Sequence, residues 1–510
     1  MTTTQPKEFS KLRAFFWPIH RHELKKFVPM SFLMFFILFV YTLVRDLKDA
    51  FLQYRSHIAF GTKTTPLISA LKMWYVLPCA FLAVMLFTWL IDKFGSKKTF
   101  YIIITFFITF FAIFGLFIYP NLDVLIMPAE QITNILNSCP KALHTFLTCL
   151  FNWPITLFYV FSEIWGTMAI SSLFWQFANA TTMKNEVKRF FGLFPIIGNI
   201  GSYFAAEAID KASKNLNDRN ILFLMLCACL SGILVLVMYT LINKWVLTDV
   251  RCFDPSQIKS KKKKKEKVSI MEGIKILFTN SYMGLVAMLV VGYGMAINFS
   301  EVVMKDQMKS LCTTQGEYMH MYSTMSKMIS LLTIFVTILA SNILRRCKWR
   351  TAAIVTPAIF LIAGSIFFGI SLYNKYVSSQ LFGFSALAIA VWAGIIQDSM
   401  AKSVKYTLFD TTKSMVYIPL DEDTKTKGQA AVEVVGGRAG KAGASLIQQF
   451  MYAFSPDVMN NVITILAIFA VSVIGWIVAV FRLSGKYEAA VAEQNEPEPV
   501  KVEAAEAVAK

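Results

Sequence analysis

Charge is what this sequence has least of. Only 16% of its 510 residues are Asp, Glu, Lys or Arg, against about 25% in soluble globular chains. With 56% hydrophobic residues and a mean hydropathy of +0.54, the chain reads as an all-α polytopic membrane protein. Acids are scarcer than bases, 32 Asp and Glu against 50 Lys and Arg, for a net charge of +18. That excess does not point to nucleic acid, because membrane proteins concentrate Lys and Arg in their cytoplasmic loops. Histidine is rare, with five in the chain, and none clusters with the eight cysteines at ligand spacing. Cys227 and Cys229 are two apart, which points them to different sides of a helix. Neither a disulfide framework nor a metal site is expected, and no cofactor.

A catalytic constellation is missing as well. The run Gly436-Gly437-Arg438-Ala439-Gly440-Lys441 resembles a phosphate-binding loop. A Walker A loop, however, needs a Gly where Val435 stands and Ser or Thr where Ala442 stands, so that its backbone and hydroxyl can hold phosphates and Mg²⁺. The chain also has no soluble domain to carry a nucleotide-hydrolysing sheet. It is not expected to be an enzyme.

What the chain does have is long apolar runs of roughly the 20 residues that cross a bilayer. Residues 1–27 form a polar, basic segment (WPIHRHELKKF) suited to the membrane surface, and the run after it is expected to be retained, not cleaved. About twelve spans follow. Six fill residues 28–243 and six fill 281–482, separated by a basic cytoplasmic linker, 244–280, that holds Lys259 to Lys265. Residues 483–510, rich in Ala, Glu, Val and Lys, are expected to be disordered. Lys and Arg concentrate in the even-to-odd loops, which places both termini in the cytoplasm.

The two halves echo each other. A charged end follows the first span of each (Arg45 to Asp49, and Glu301 to Lys309), and a short basic turn follows the second (Asp92 to Lys98, and Arg345 to Arg350). A polar turn leading to a Gly-rich fifth span also recurs (Thr181 to Gly201, and Asp410 to Gly443). Repetition with Gly- or Pro-interrupted spans marks a secondary transporter. Two six-helix bundles specify the major-facilitator architecture.

Ionisable residues inside such spans are costly and mark substrate or ion paths. Five stand out. Lys48 lies at the end of the first span and Glu301 at the end of the seventh, where an alternative role is anchoring at the interface. Glu163 sits in mid-span with no charge near it, and Arg438 and Lys441 head a Gly/Ala-rich span. Small neighbours let either a ligand or another helix approach the backbone around Lys441. The cations make a case for a polyanion: a nucleoside triphosphate carries about four negative charges and needs several paired cations, Arg bidentate and Lys as a point charge. Trp165, Phe174, Trp175 and Tyr406 are the aromatic candidates for holding a base, with packing as the alternative. Asp421 to Asp423 read as gating partners for loop lysines.

These residues fall in blocks with a family likeness. WPIHRHELKKFVPM, VRDLKDAF, FYVFSEIWG, NKWVLTD, GMAINFSEVVMK, KYTLFDTTKSMVYIPLDEDTKTKGQAA and GKAGASLIQQ together resemble the nucleotide transporter (ATP/ADP translocase) family of obligate intracellular bacteria and plastids. The resemblance covers nearly the whole chain. It implies exchange across a bacterial inner membrane of host ATP for ADP and phosphate. It also implies that Lys48, Glu163, Glu301 and Lys441 take part in transport. The chain departs from the family at Leu47, Ser300, Gln429 and Ala442, beside those charges. Broad nucleotide exchange and proton-coupled nucleotide import, with Glu163 or Glu301 titrating, are the alternatives within the family. A peptide or sugar-phosphate carrier of the same architecture is the alternative outside it.

Overall fold

The computed structural model describes residues 18–249, 253, 270–420, 428, 432 and 437–495, nearly all of them in helices. Six long helices precede Asp249: α1 (Leu24–Arg55), α2 (67–94), α3 (96–118), α4 (Trp153–Thr181), α5 (Lys184–Ser213) and α6 (Asp218–Val246). Six more follow Asn280: α7 (Ser281–Leu311), α8 (Gln315–Arg346), α9 (Trp349–Tyr376), α10 (386–415), α11 (Gly437–Phe454) and α12 (Val462–Asn495).

Local chemistry sets these bounds. The first amides of a helix have no intrahelical acceptor, so polar side chains supply one. Asn217 accepts from Asn220 N (2.9 Å) to start α6, and Asn280 from Tyr282 N (2.9 Å) to start α7. Thr314 and Glu317 cap each other's backbone at α8 (3.2 and 3.3 Å). Only a φ of 74° at Gly95 separates α2 from α3, a conformation that glycine alone adopts at little cost.

Among the described residues, eight stretches are apolar and long enough to cross a membrane unaided, the joined α2–α3 run being one of them. The more polar α5, α10 and α11 are not among these. They pack against other helices: α5 along α1 and α8, α10 along α8 and α9, α11 along α7. Within the first half α1 is central, touching α4, α5 and α6; within the second, α7 touches α10, α11 and α12. The halves meet where α5 and α1 lie against α8, and where 67–76 lies against α11.

The helices alternate in direction, so the start of α1 and the end of α12 share one end of the molecule. At the opposite end the halves are sealed together. Tyr54 donates to Cys312 O (2.8 Å), Ser69 to Gln448 (2.9 Å), Thr145 to Gln449 (2.7 Å) and Lys327 to Asp210 (2.7 Å). Lys63, in the turn after α1, pairs with Asp457 at 2.9 Å.

Three expectations are corrected. Hydropathy stops at the first charge, whereas α1 runs on to Arg55 and α7 to Leu311, so Lys48 and Glu301 lie inside helices and not at their ends. The helix α12 continues past Phe481 to Asn495, into the segment read as a disordered tail. In the described part of the opening basic segment, Glu23 and Lys26 are buried instead of lying at a surface. Lys26 and Glu186 form a buried pair (2.6 Å), and Arg189 holds Glu23 (2.7 Å), clamping α1 to the start of α5. Lys259 to Lys265, Asp421 to Asp423 and Gln429 lie outside the described residues.

Candidate functional site

Between the halves lies a cavity of about 270 Å³, near the small end of the roughly 300–1,000 Å³ typical of ligand pockets. Its floor is Lys48, Asp49 and Lys305, and its walls carry Tyr41, Tyr293 and Tyr406. Asp49 is six residues from the sealed end of α1, about 9 Å at 1.5 Å per residue. Tyr41 is eight residues the other way, so the cavity extends from near the seal toward the end that bears the termini.

Charge dominates the lining. Six cations, Arg45, Lys48, Lys72, Lys305, Lys402 and Lys441, face only three carboxylates, Asp49, Glu163 and Glu301. Lys48 binds Glu163 and Asp49, each at 3.2 Å, with its ammonium 3.9 Å from the centre of the Tyr159 ring. Asp49 binds Lys305 at 2.9 Å and accepts from the Tyr322 hydroxyl at 3.1 Å. Glu301 collects Lys402 (3.1 Å), Lys305 (3.3 Å) and Lys72 (3.5 Å). Behind the lining, Asp398 holds Lys402 (2.8 Å) and Asp46 holds Arg45 (2.9 Å). Lys441 is exposed and makes no ion pair among the described residues.

The local fold explains how the groups converge. Wide π-helical turns lie at 71–76, 166–174 and 405–409. The first contains Lys72, the second follows Glu163, and the third contains Tyr406 just past Lys402. Such turns shift the face a helix presents and recur at functional sites. Gly166 has no side chain because a Cβ there would sit 2.8 Å from the Tyr41 ring.

The structure thus brings together Lys48, Glu163, Glu301 and Lys441. The side chain of Arg438 falls outside the described residues. Of the aromatic candidates, Tyr406 lines the cavity, whereas Trp165 and Phe174 are packed inside the first half, Trp165 donating to Ile37 O (3.2 Å). Trp175 stacks edge-on to Phe191 (5.2 Å).

Several residues of the site escape sequence reasoning. Lys72 and Asp398 are isolated charges in apolar runs, the same signal that marks Glu163, and were legible on that ground. Lys402 falls just past the end of an apolar run and reads as a loop residue. Asp49 and Lys305 sit within charged clusters whose members sequence does not rank. A cation-rich cavity whose charges are paired internally can take up a multiply charged anion by exchanging its own carboxylates for the anion's oxygens.

Comparison with known proteins agrees with this chemistry. A family model described as TLC ATP/ADP transporter matches residues 2–487. The chain is 38% identical over 502 residues to an ADP,ATP carrier protein 1 of Rickettsia bellii, covering 96% of this chain and 98% of the relative. It is 36% identical over 513 residues to one from Chlamydia muridarum, covering 97% and 95%. Among solved structures, a D-xylose-proton symporter aligns with a TM-score of 0.55 at 11% identity, over 90% of this chain and 97% of that one. A nucleoside transporter aligns with a TM-score of 0.52 at 15% identity, over 92% and 99%. At such identities the likeness establishes the fold, which is major-facilitator-like.

Proposed function

Because the chain belongs to the TLC ATP/ADP transporter family, we propose that it exchanges ATP for ADP by alternating access around the central cavity. The observation that carries this reading is the surplus of cations in that cavity, six against three carboxylates. Phosphates are the ligands such a set fits, since guanidinium and ammonium groups bind their oxygens with charge-assisted hydrogen bonds. Lys441, exposed and without an ion-pair partner among the described residues, is the first contact for the phosphate chain. Lys48, Lys72, Lys305 and Lys402 then accept phosphate oxygens as Glu163, Asp49 and Glu301 give them up. Arg438, three residues before Lys441 in the sequence, is assigned to the same phosphate-binding set. Tyr41, Tyr293 and Tyr406 offer faces for the base. Inorganic phosphate, a smaller anion with the same recognition chemistry, accompanies ADP on the return path.

The sealed end faces outward, and the end with both termini faces the cytoplasm of a bacterium, across its inner membrane. The gathering of Lys and Arg at the terminal end supports this orientation. Residues 28–243 and 281–482 act as the two moving units.

Purified protein in lipid vesicles tests the assignment. Labelled ATP should enter vesicles preloaded with ADP, survive an uncoupler, and compete with nucleotides but not with sugar phosphates. Lys441→Ala should abolish uptake while the protein remains monodisperse in detergent. Uptake that is undiminished in that variant would remove Lys441 from the site, and collapse with the uncoupler would replace exchange by proton symport.

A further inference from the structure

The charges in the cavity form one connected chain, Glu163 to Lys48 to Asp49 to Lys305 to Glu301 to Lys402 to Asp398. Its middle link, Asp49 to Lys305, joins α1 in the first half to α7 in the second. Other polar links cross nearby: Lys72 to Glu301 at 3.5 Å and to Asn298 at 2.8 Å, Tyr322 to Asp49 at 3.1 Å, and Ser326 bridging Arg45 and Asp46. Asp49 to Lys305 is the shorter ionic link, 2.9 Å, and the more buried, with side chains 0% and 2% exposed.

Asp49 is also unusually one-sided. Lys48, Lys305 and the Tyr322 hydroxyl all bind its Oδ2, while Oδ1 is buried with no hydrogen-bond partner. Two of those three donors, Lys305 and Tyr322, belong to the second half. Parting the halves at the seal would leave Asp49 with Lys48 alone, and a buried carboxylate stripped of donors is strongly disfavoured.

We propose that the Asp49–Lys305 bridge is what makes exchange obligatory: it locks the empty carrier, and a bound phosphate releases it by taking over Lys305. The proposal rests on the exchange reading above. Asp49 is the positioning residue in this scheme, since its bond to Lys305 holds the two halves in register, whereas Lys305 also meets the phosphate. When phosphate oxygens occupy Lys305, Lys305 no longer depends on Asp49, Asp49 withdraws with Lys48 on the same helix, and the halves separate. Without phosphate the separated state should be populated about a hundredfold less or lower.

The test compares the parent with Asp49→Asn, which keeps the volume, removes the bridge between the halves and leaves Lys305 beside Glu301 and available to phosphate. In the parent, ATP uptake into ADP-loaded vesicles should exceed uptake into empty ones by about tenfold or more; in the variant uptake into loaded vesicles should persist while the ratio falls to within about twofold of one. A variant that transports with the parental ratio overturns the proposal. A second measurement does not require the variant to transport or to fold. Ser69, buried at the seal against Gln448, is replaced by Cys in the otherwise parental chain and probed with a water-soluble maleimide over the labelling of the same chain with Ser69. ADP should raise the labelling rate about tenfold or more. An ADP-independent rate in a protein that does transport nucleotide overturns the lock, whereas failure to transport any nucleotide overturns the exchange reading instead.

Discussion

Lys48 has two carboxylate partners that differ in what surrounds them. Glu163 is 34% exposed to the cavity, while Asp49 is sealed from water. Removing one member of a buried ion pair costs about 3–5 kcal/mol; removing a partner in contact with solvent costs about 1 kcal/mol or less. Asp49→Asn should therefore lower the thermal midpoint of the detergent-solubilised protein well below that of Glu163→Gln, and equal midpoints would contradict this burial. Glu163→Gln should instead act on transport, lowering the KM for ATP because a carboxylate that competes with phosphate for Lys48 is lost; an unchanged or higher KM would contradict that competition. At this scale the sequence was informative where a charge stood alone. Glu163 was visible because nothing charged is near it; Lys72 carries the same signal but was not among the residues singled out. Lys48 and Glu301 were legible as charges but misplaced, because an apolar run ends where composition changes, not where the backbone stops being helical. Of the cavity tyrosines only Tyr406 was among the aromatic candidates; Tyr41 and Tyr293 were not legible. In a chain with 14% aromatic residues, nothing distinguishes Tyr41 from the rings that only pack.

The small residues acquire their meaning between elements. A Cβ on Gly440 would meet the backbone of Val291 at 3.0 Å, and one on Gly294 would meet Gly440 at 3.1 Å. Close backbone approach through small residues is how membrane helices pack, so the Gly-rich start of α11 is a seat on α7. Lys441 is aimed into the cavity as a consequence of that seat. Gly440→Leu should displace α11 and reduce ATP uptake about tenfold or more even though the cation is untouched; uptake at the parental rate would sever that link. Likewise a Cβ on Gly201 would collide with Phe35 O, whereas one on Gly475 would meet open space. Gly201→Ala should lower the yield of folded protein, and Gly475→Ala should leave it unchanged, as read by gel filtration from membranes. The sequence exposed the unusual composition of the fifth and eleventh spans and their repetition. It left open whether a ligand or a helix filled the space, because both need the same absent side chains. The buried clamp of Lys26 on Glu186 was likewise hidden, since the two residues are 160 positions apart.

For the molecule as a whole, the two bundles were legible from repeated charge and turn patterns, whereas the seal between them was not, because it depends on pairs drawn from opposite halves. Lys63 with Asp457 is the exposed member of that seal. Burial raises the Asp457 carboxyl, but the hydrogen bond and charge of Lys63 outweigh it and hold the group below its ordinary value. Burial lowers the Lys63 ammonium, but Asp306 and Asp457 outweigh it and hold it above its ordinary value. A depressed carboxyl stabilises the seal above about pH 4 and is lost as pH falls through its folded value, while a raised ammonium stabilises it below about pH 10 and is lost as pH rises through its own. Lys63→Gln should therefore speed maleimide labelling at Ser69→Cys, and the ratio of its rate to the parent's, in which the thiolate fraction cancels, should stay constant from about pH 7.5 to about pH 9. A ratio that varies across that window would show that another group controls this pair. Finally, a carrier has to let go of its cargo as surely as it captures it. Glu301, with three lysines gathered around one carboxylate, waits in the cavity as a standing replacement for phosphate, so that each departing nucleotide is displaced by a group that never leaves.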